Sequence, residues 1–277
     1  METLQATQIG GENPLDGAKE MRLVEVTITD GDSALANANH VDLDHCRIDG
    51  RFALWHSRNI RLSHCHFSSD ASSPLWYVRQ MRLTDSVVDA PRAMREISNI
   101  TLDNVNLRHA PQALWHCQRV RLKDVVSDDG DYLLMHSNDV TARDINLRGD
   151  GALQYCSNLA VRNSRIDSHH ALWEADGVTV YNTELRGDFI GWHSRNLRLV
   201  GCHIAGRRPL CFASGLILEK CTMDPSCTHA FEGSRLHAQI MGSIPSVRNP
   251  LSGTIRAYSI GELVIAPNSD CQIITEK

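Results

Sequence analysis

Residues 159–177 read LAVRNSRIDSHHALWEADG, and residues 178–196, directly after them, read VTVYNTELRGDFIGWHSRN. Each stretch opens on an apolar–any–apolar triplet and has another apolar residue at its eighth position, Ile166 or Leu185. Each also carries a tryptophan at its fifteenth position, Trp173 or Trp192. One unit therefore occurs twice in succession, which indicates a repeat protein.

The triplet recurs along most of the chain at intervals of 19 to 21 residues. It begins at Met21, Val41, Ile60, Met81, Ile100, Val120, Val140, Leu159, Val178, Leu197, Leu216 and Leu236. A helical array would need longer units and a 3.6-residue period, and the chain has neither. Period-2 alternation broken by a change of phase indicates two short strands that meet at a corner. A third strand is expected over the segment of Ala-Leu-Trp-His-Ser type.

The sequence therefore predicts an all-β protein, a single-stranded right-handed parallel β-helix (solenoid) of about twelve coils of 19–21 residues. Residues 1–20 are expected to form an N-terminal cap, 21–253 the solenoid and 254–277 a C-terminal coil or cap, in one domain overall. Several coils end at a turn former whose type suits the left-handed backbone conformation or a stacked amide ladder. These residues are Asn59, Asn99, Asn158 and Asn196.

The composition argues against several classes of protein. A net charge of −5 favours neither a nucleic-acid partner nor an anionic membrane surface. The chain has no apolar run near the roughly 18 residues of a membrane span, and no signal peptide follows Met1. Nine cysteines without a Cys-x-x-Cys motif indicate reduced thiols and a cytoplasmic location.

In a solenoid, residues that share a position in the repeat line up in columns, and three columns carry chemistry. The first is aromatic, because all five tryptophans fall at one position and Phe231 continues the column. It predicts either a platform for a sugar or another flat ligand, or a structural stack that could also be a subunit interface. The tryptophans are Trp55, Trp76, Trp115, Trp173 and Trp192.

The second column follows the tryptophans and is rich in titratable groups. Its members are His56, Tyr77, Glu96, His116, His136, Tyr155, Glu174, His193, Phe212 and Glu232. Glu174 and His193 are one coil apart, so they could share a proton or a metal. The alternative is a polar ladder on a solvated face.

The third column lies in the turn before the tryptophan segment and combines acids, an imidazole and a guanidinium. It consists of Asp131, Asp150, His169, Asp188 and Arg207. Such groups can supply a general base, a general acid and a clamp for an anion, or a cation site rich in oxygen ligands. The alternative is that polar residues simply occupy outer turns.

The cysteines receive two interpretations. Cys46 and Cys65, and likewise Cys202 and Cys221, lie in an inward column and are expected to be buried, unreactive thiols. Cys211 replaces tryptophan in the aromatic column, so an exposed nucleophile is the alternative there, with His229 and Glu232 beside it.

Several segments resemble a family of bacterial and fungal right-handed β-helix proteins of unknown function, whose members are sometimes labelled hydrogenase. The matching segments are Gly31-Asp32-Ser33-Ala34-Leu35, Gly191-Trp192-His193-Ser194-Arg195-Asn196-Leu197, Pro209-Leu210-Cys211-Phe212, Cys221-Thr222-Met223, Phe231-Glu232-Gly233-Ser234 and Asn249-Pro250-Leu251-Ser252-Gly253. The family often has Tyr in place of Phe212 and a second Cys near Ala213. The resemblance implies the fold but no chemistry, and no thiolate cluster supports a hydrogenase.

The sequence favours an enzyme of lyase, epimerase, isomerase or hydrolase type that acts on a sugar or small polar substrate on the outer face of coils 131–232. Proposed catalytic residues are Asp150, Asp188, His169, His193 and Glu174. Proposed substrate-binding residues are Trp173, Trp192, Arg207, Cys211, Phe231 and Glu232. No cofactor is predicted, a divalent cation being the open alternative. The competing hypothesis is a non-catalytic solenoid that presents its Trp/His face to a ligand or to a second copy of the chain.

Overall fold

The computed structural model describes residues 1–29 and 31–276, and every regular element in them is a β-strand. The chain divides into two compact units, Met1–Thr141 and Ala142–Lys277. In this described part of the chain, no helix is long and apolar enough to cross a membrane.

The strands of the first unit are short and follow one another at the repeat interval. They are β1 (Glu2–Gln5), β2 (Gln8–Ile9), β3 (Lys19–Val24), β4 (Thr27–Ile28), β5 (Asn39–Asp44), β6 (Arg47–Ile48), β7 (Arg58–Ser63), β8 (His66–Phe67), β9 (Arg79–Val88), β10 (Ser98–Leu107), β11 (Gln118–Ser127) and β12 (Asn138–Arg143), which ends just past the unit boundary.

The second unit repeats this arrangement and adds a small separate sheet, β22 with β24. Its strands are β13 (Asn146–Arg148), β14 (Ser157–Arg162), β15 (Arg165–Asp167), β16 (Asp176–Tyr181), β17 (Glu184–Arg186), β18 (Arg198–Val200), β19 (His203–Ala205), β20 (Leu216–Met223), β21 (Arg235–Ile240), β22 (Ser243–Arg248), β23 (Ser252–Ala257), β24 (Ser259–Val264) and β25 (Asp270–Thr275).

Equivalent strands of successive coils pair in parallel, so each unit is a parallel β-solenoid. Val41 pairs with Ile60 and Ile60 with Met81 in the first unit, and Leu159 pairs with Val178 in the second. The triplets read from the sequence are therefore the paired strands. The chain makes about fourteen turns, close to the predicted twelve, and the predicted all-β solenoid is confirmed.

The predicted third strand is wrong, because the tryptophan segment is a run of turns. Phe52, Leu54 and His56 all have positive φ, at 53°, 62° and 56°. Their backbone amides point alternately up and down the coil: Phe52 N–H donates to Ser72 O, Leu54 N–H to Ala34 O and His56 N–H to Trp76 O. The segment thus bonds to both neighbouring coils without being extended.

Left-handed residues also mark the corners where strands begin. Asn59, Asn99, Asn158 and Asn196 have φ values of 55°, 60°, 50° and 51°, as predicted for these turn formers. A non-glycine residue in this region costs about 1–2 kcal/mol. Hydrogen bonds between coils at each such corner offset that cost.

The core lies inside each coil and is filled by the apolar columns. Leu54, Leu75 and Leu114 are fully buried, and the four cysteines of the inward column are buried and free, as predicted. Two buried serines of the turn segment donate to backbone carbonyls: Ser57 Oγ to Leu35 O at 2.8 Å and Ser137 Oγ to Leu114 O at 2.7 Å.

In the coils that begin at Ile60 and Leu216, the turn before the tryptophan segment is longer than in the other coils. In one, Ala71 N–H donates to Ser68 O and Ser72 N–H to Asp70 O. In the other, Cys227 N–H donates to Asp224 O and Thr228 N–H to Ser226 O. The two additions have the same pattern of hydrogen bonds.

Candidate functional site

The aromatic column is a stack of rings in contact with one another. Trp173 and Trp192 are half-buried, with ring centroids 5.7 Å apart and planes 14° from parallel. On its other side Trp192 meets the edge of Phe212, whose centroid is 4.9 Å away, and the Arg208 guanidinium lies 5.1 Å from the Trp192 centroid. Rings stacked in this way cover each other's faces, so those faces are not open to a ligand. The stack therefore fits the structural alternative better than a platform for sugars.

The same packing occurs in the first unit with an arginine in the column. The Arg95 guanidinium lies 5.3 Å from the Trp76 centroid and 5.2 Å from the Trp115 centroid. Cation–π contacts of this kind hold the column together where a tryptophan is missing.

The titratable column places Glu174 and His193 at the rim of a shallow depression of about 310 Å³, together with Arg195. Glu174 accepts a hydrogen bond from Trp173 Nε1 at 3.2 Å. His193 stacks on Phe212 at 5.1 Å. In the first unit, the rings of His116 and His136 stack at 4.8 Å in the same column.

The turn column forms the chain of contacts that was expected for three of its members. His169 Nδ1 accepts a hydrogen bond from the Asp188 backbone amide at 2.9 Å. Asp188 in turn accepts bonds from the Arg207 amide at 2.8 Å and from Arg207 Nη2 at 2.6 Å. Asp150 is exposed one coil before His169.

Asp188 is well shielded, with 15% of its side chain exposed, whereas Arg207 is 70% exposed. Burial acts to raise the pKa of Asp188, but hydrogen bonds from Arg207 outweigh it and the pKa lies below its ordinary value. Asp188 is thus an ionised, fully paired carboxylate, which makes it a poor proton acceptor. Arg207 already has an anion bound to it.

Two glycines allow this column to form. A Cβ at Gly187 would lie 2.2 Å from Ser168 O, and a Cβ at Gly206 would lie 2.0 Å from Gly187 O. Their φ values of 135° and 125° also disfavour any side chain. Asp188 and Arg207 follow directly, so the close approach of the backbones sets their spacing.

Three predicted residues are placed elsewhere than expected. Cys211 is fully buried and its Sγ contacts backbone carbonyls, among them His229 O at 3.4 Å. Burial raises the pKa of Cys211 to about 12, so an exposed nucleophile is wrong.

Phe231 and Glu232 are each displaced by one position, because the turn that precedes them in their own coil is longer. Phe231 N–H bonds to Pro209 O and Phe212 N–H to Glu232 O, so Phe231 lies over Leu210 in the core, fully buried. Glu232 continues the tryptophan column and accepts a hydrogen bond from Arg208 at 2.6 Å. The acid–base roles given to Asp150, His169, Glu174 and His193 stay predictions.

A site that the sequence reasoning missed lies on the outer face of the first unit. Arg61 pairs in register with Arg82, Arg82 with Thr101, and Thr101 with Arg121. Because successive strands are about 4.8 Å apart, the three guanidinium groups are spread over roughly 14 Å of one row. A second row beside it contains Arg58 paired with Arg79.

The arginine row lines an open groove of about 590 Å³, which we call the arginine groove. Its other wall is the corner column, where Asn59, Gln80 and Asn99 present amide side chains. Glu20, His40, Asp42, Ile60, Met81 and Met1 complete the lining.

The lining of the groove contains three arginines and two carboxylates, those of Glu20 and Asp42. Arg61, 77% exposed, lies 3.7 Å from Asp42. Within residues 1–29 and 31–276, no ion pair within 4 Å is found for Arg82 or Arg121. The sequence holds a signal for this row, since each arginine stands at the middle position of its triplet: Ile60-Arg61-Leu62, Met81-Arg82-Leu83 and Val120-Arg121-Leu122.

Comparison with known proteins gives a family and a set of remote structural likenesses. The family model described as "Protein of unknown function (DUF3737)" matches residues 2–275, which confirms the resemblance drawn from the sequence. Among curated proteins, none matches the chain.

Solved structures that resemble the chain include a mannuronan C-5 epimerase A-module from Azotobacter vinelandii, with 10% identity and a TM-score of 0.39, covering 99% of this chain and 90% of that one. A PL6 alginate lyase in complex with a trisaccharide has 10% identity and a TM-score of 0.39, covering 100% and 81%. The pentapeptide repeat protein HetL from a Nostoc cyanobacterium has 16% identity and a TM-score of 0.25, covering 83% and 87%. Likeness at this level does not bear on function.

Proposed function

We propose that this chain, which belongs to the family described as a protein of unknown function (DUF3737), binds an acidic polysaccharide in the arginine groove. One observation carries the proposal: Arg61, Arg82 and Arg121 stand in one register row along an open groove of the first unit.

The side chains of the groove match the chemistry of an acidic sugar. A guanidinium presents a planar fork of N–H donors that binds a carboxylate through two parallel hydrogen bonds. The amides of Asn59, Gln80 and Asn99 supply both donors and acceptors, which is what sugar hydroxyl groups need. Carboxylates and hydroxyls together are the functional groups of a polyuronate.

The repeat geometry favours a polymer over a single sugar. The charged groups follow the solenoid at the coil spacing, so a chain of regularly spaced carboxylates would meet a new donor every one or two coils. Each contact can be weak, because simultaneous contacts along one chain add to the affinity.

Nucleic acid fits the groove less well. The net charge of the protein is −5, and the described lining of the groove contains no Trp, Tyr or Phe on which a base could stack. A polyuronate needs no such ring.

The test is a binding measurement with a polyuronate, a neutral glucan of similar length and single-stranded DNA. The triple variant Arg61→Gln, Arg82→Gln, Arg121→Gln removes the row. A matched control, Arg148→Gln, Arg235→Gln, Arg256→Gln, removes the same charge from exposed positions in the second unit. Calorimetry reports affinity and does not depend on any catalytic activity.

We expect the polyuronate to bind and the neutral glucan not to bind. The groove variant should bind the polyuronate at least about tenfold more weakly, since hydrogen bonds to charged groups contribute about 1.5–3 kcal/mol each. The control should bind almost as tightly as the natural protein. Equal affinity in the groove variant, or tighter binding of DNA than of polyuronate, would overturn the proposal.

A further inference from the structure

We propose that Asp44, His45 and His64 form a binding site for a divalent transition-metal ion of the zinc type, at a corner of the first unit. The ligand atoms of the three side chains all lie within 4.8 Å of one another. None of the three lines the arginine groove, so this site stands apart from the proposed saccharide binding.

The solenoid places the two histidines at one corner position of successive coils. Both have a φ of 52°, and their amides bond to Ser63 O and Thr84 O respectively. The shared backbone conformation turns both side chains outward in the same direction. Their rings therefore stack, with centroids 4.4 Å apart and planes 12° from parallel.

Asp44 ends strand β5 directly before this corner and faces both rings. Its Oδ1 lies 3.1 Å from His45 Nδ1 and 3.2 Å from His64 Nδ1. Zinc binds imidazole nitrogen and carboxylate oxygen at about 2.0–2.2 Å. Two ligands at that distance from one ion are about 3–3.5 Å apart, with the larger value for tetrahedral zinc, and both distances lie in this range.

The donor set selects a class of metal. Two imidazoles with one carboxylate suit zinc, cobalt, nickel and ferrous iron, whereas calcium and magnesium prefer oxygen ligands alone. Asp44 is already held in place, because Ser63 Oγ donates to its Oδ1 at 2.8 Å. Hydrogen bonds of this kind orient a ligating carboxylate.

Two carboxylates stand in the same corner column, one coil before His45 and one coil after His64. They belong to Glu25 and Asp85, whose φ values are 55° and 49°, and both side chains are exposed. Neither belongs to the cluster of three ligand groups, and Asp85 Oδ1 accepts a hydrogen bond from Asn104 Nδ2 at 2.8 Å. Water would therefore complete the coordination of an ion held by the three side chains.

The guanidinium group of Arg22 lies near the carboxylate of Asp44. Arg22 Nη2 is 3.7 Å from Asp44 Oδ2, and the Arg22 side chain is 52% exposed. An exposed arginine at this distance can move into solvent when a divalent ion binds, because its contact with Asp44 is long and screened by water.

The experiment is titration of the metal-free protein with cobalt, followed by the visible absorption of bound cobalt, and competition by zinc. The double variant His45→Gln, His64→Gln removes two ligands, and Asp44→Asn removes the third. The matched control is His116→Gln, His136→Gln, which removes a stacked histidine pair of the same unit that belongs to no such cluster in the described residues. His45 and His64 are 57% and 50% exposed, so their replacement leaves the fold intact.

We expect one cobalt per chain with a ligand-field spectrum, displaced by zinc, in the natural protein and in the control. The His45/His64 variant should bind cobalt at least tenfold more weakly, and Asp44→Asn should change the spectrum. Zinc should raise the unfolding temperature of the natural protein and not that of the double variant. Equal cobalt binding by the natural protein and the double variant would overturn the proposal, as would loss of the site in the control.

Discussion

Trp173 lies on Trp192 with centroids 5.7 Å apart and planes 14° from parallel, one coil above the other. The contact joins two coils on the outside of the solenoid, where the side chains of the apolar core make no contact. It stabilises the stacking of coils in the way that the core does from within. Both tryptophans therefore contribute to the stability of the solenoid.

Replacement of these two rings should reveal an energetic coupling between them. Trp173→Leu and Trp192→Leu should each lower the free energy of unfolding, and the double variant should lose less than the sum. Aromatic pairs contribute about 0.5–1.5 kcal/mol beyond their buried area, which sets the expected coupling. Urea unfolding of the four proteins measures it. A coupling near zero, with loss of saccharide binding instead, would restore the platform interpretation.

The ion pair of Asp188 with Arg207 should make stability depend on pH. Because the pKa of Asp188 is lower in the folded chain than in the unfolded chain, the pair stabilises the fold at neutral pH. This contribution is lost as the pH falls through the folded-state pKa. We expect Asp188→Asn to cost about 1–2 kcal/mol near pH 7 and much less near pH 3. The comparison requires unfolding curves at both pH values, and a cost independent of pH would contradict the pairing.

Gly206→Ala should be among the most damaging single changes on the outer surface. The new Cβ would lie 2.0 Å from Gly187 O, and backbone cannot move away cheaply. The expected loss is about 3 kcal/mol or more. Gly242→Ala is the control, since its φ is also 125° but nothing lies within 4 Å of its Cβ. Thermal unfolding should separate the two variants clearly, and similar losses would show that φ alone matters.

The thiols should differ sharply in reactivity. Eight cysteines are buried and Cys271 is half-buried. Burial raises the pKa of Cys227 and of Cys211 to about 12, so neither is a thiolate at neutral pH. We expect alkylation of the native protein to modify Cys271 first, with the others reacting only after unfolding. Peptide mapping by mass spectrometry gives the order, and early labelling of Cys211 would contradict its placement.

The fold was predictable because the apolar triplet recurs once in every coil along most of the sequence. The triplets that begin at Val41, Ile60 and Met81 can be aligned without knowing the structure of the turns between them, and their strands pair as predicted. The prediction of a strand over the tryptophan segment was wrong. Its left-handed residues are not glycines, so neither their type nor the hydrophobic pattern reveals their backbone conformation. Phe52 and Leu54 show this, each with positive φ and neither of a type that predicts it.

The candidate site was less predictable, for two physical reasons. A longer turn displaces the tryptophan segment of its own coil, which places Phe231 in the core and Glu232 beside Arg208. Whether a charged side chain is free to bind a substrate also depends on its neighbours in the fold. Asp188 and Arg207 were each predicted to act on a substrate, but they form an ion pair with each other. The arginine row is present at the middle position of three triplets, where a polar residue is ordinary on an outward-facing strand, so the sequence alone does not distinguish it from a solvated surface.

Two coils with a longer turn before the tryptophan segment suggest how a protein of this kind can diversify. Residues 68–72 and 224–228 form the same small turn at the same corner. Around residues 68–72 the strands keep their register, with Ile60 opposite Met81 and Phe67 opposite Val88, whereas around residues 224–228 the pairing of β20 with β21 shifts between Leu218 and Cys221. At the first of these places the corner accepts extra chain without disturbing the pairing of the strands on either side. Insertions over evolutionary time, or epitopes and peptides grafted by protein engineers, should therefore be tolerated at this corner in coil after coil, whereas the same insertion inside a triplet would shift its partners.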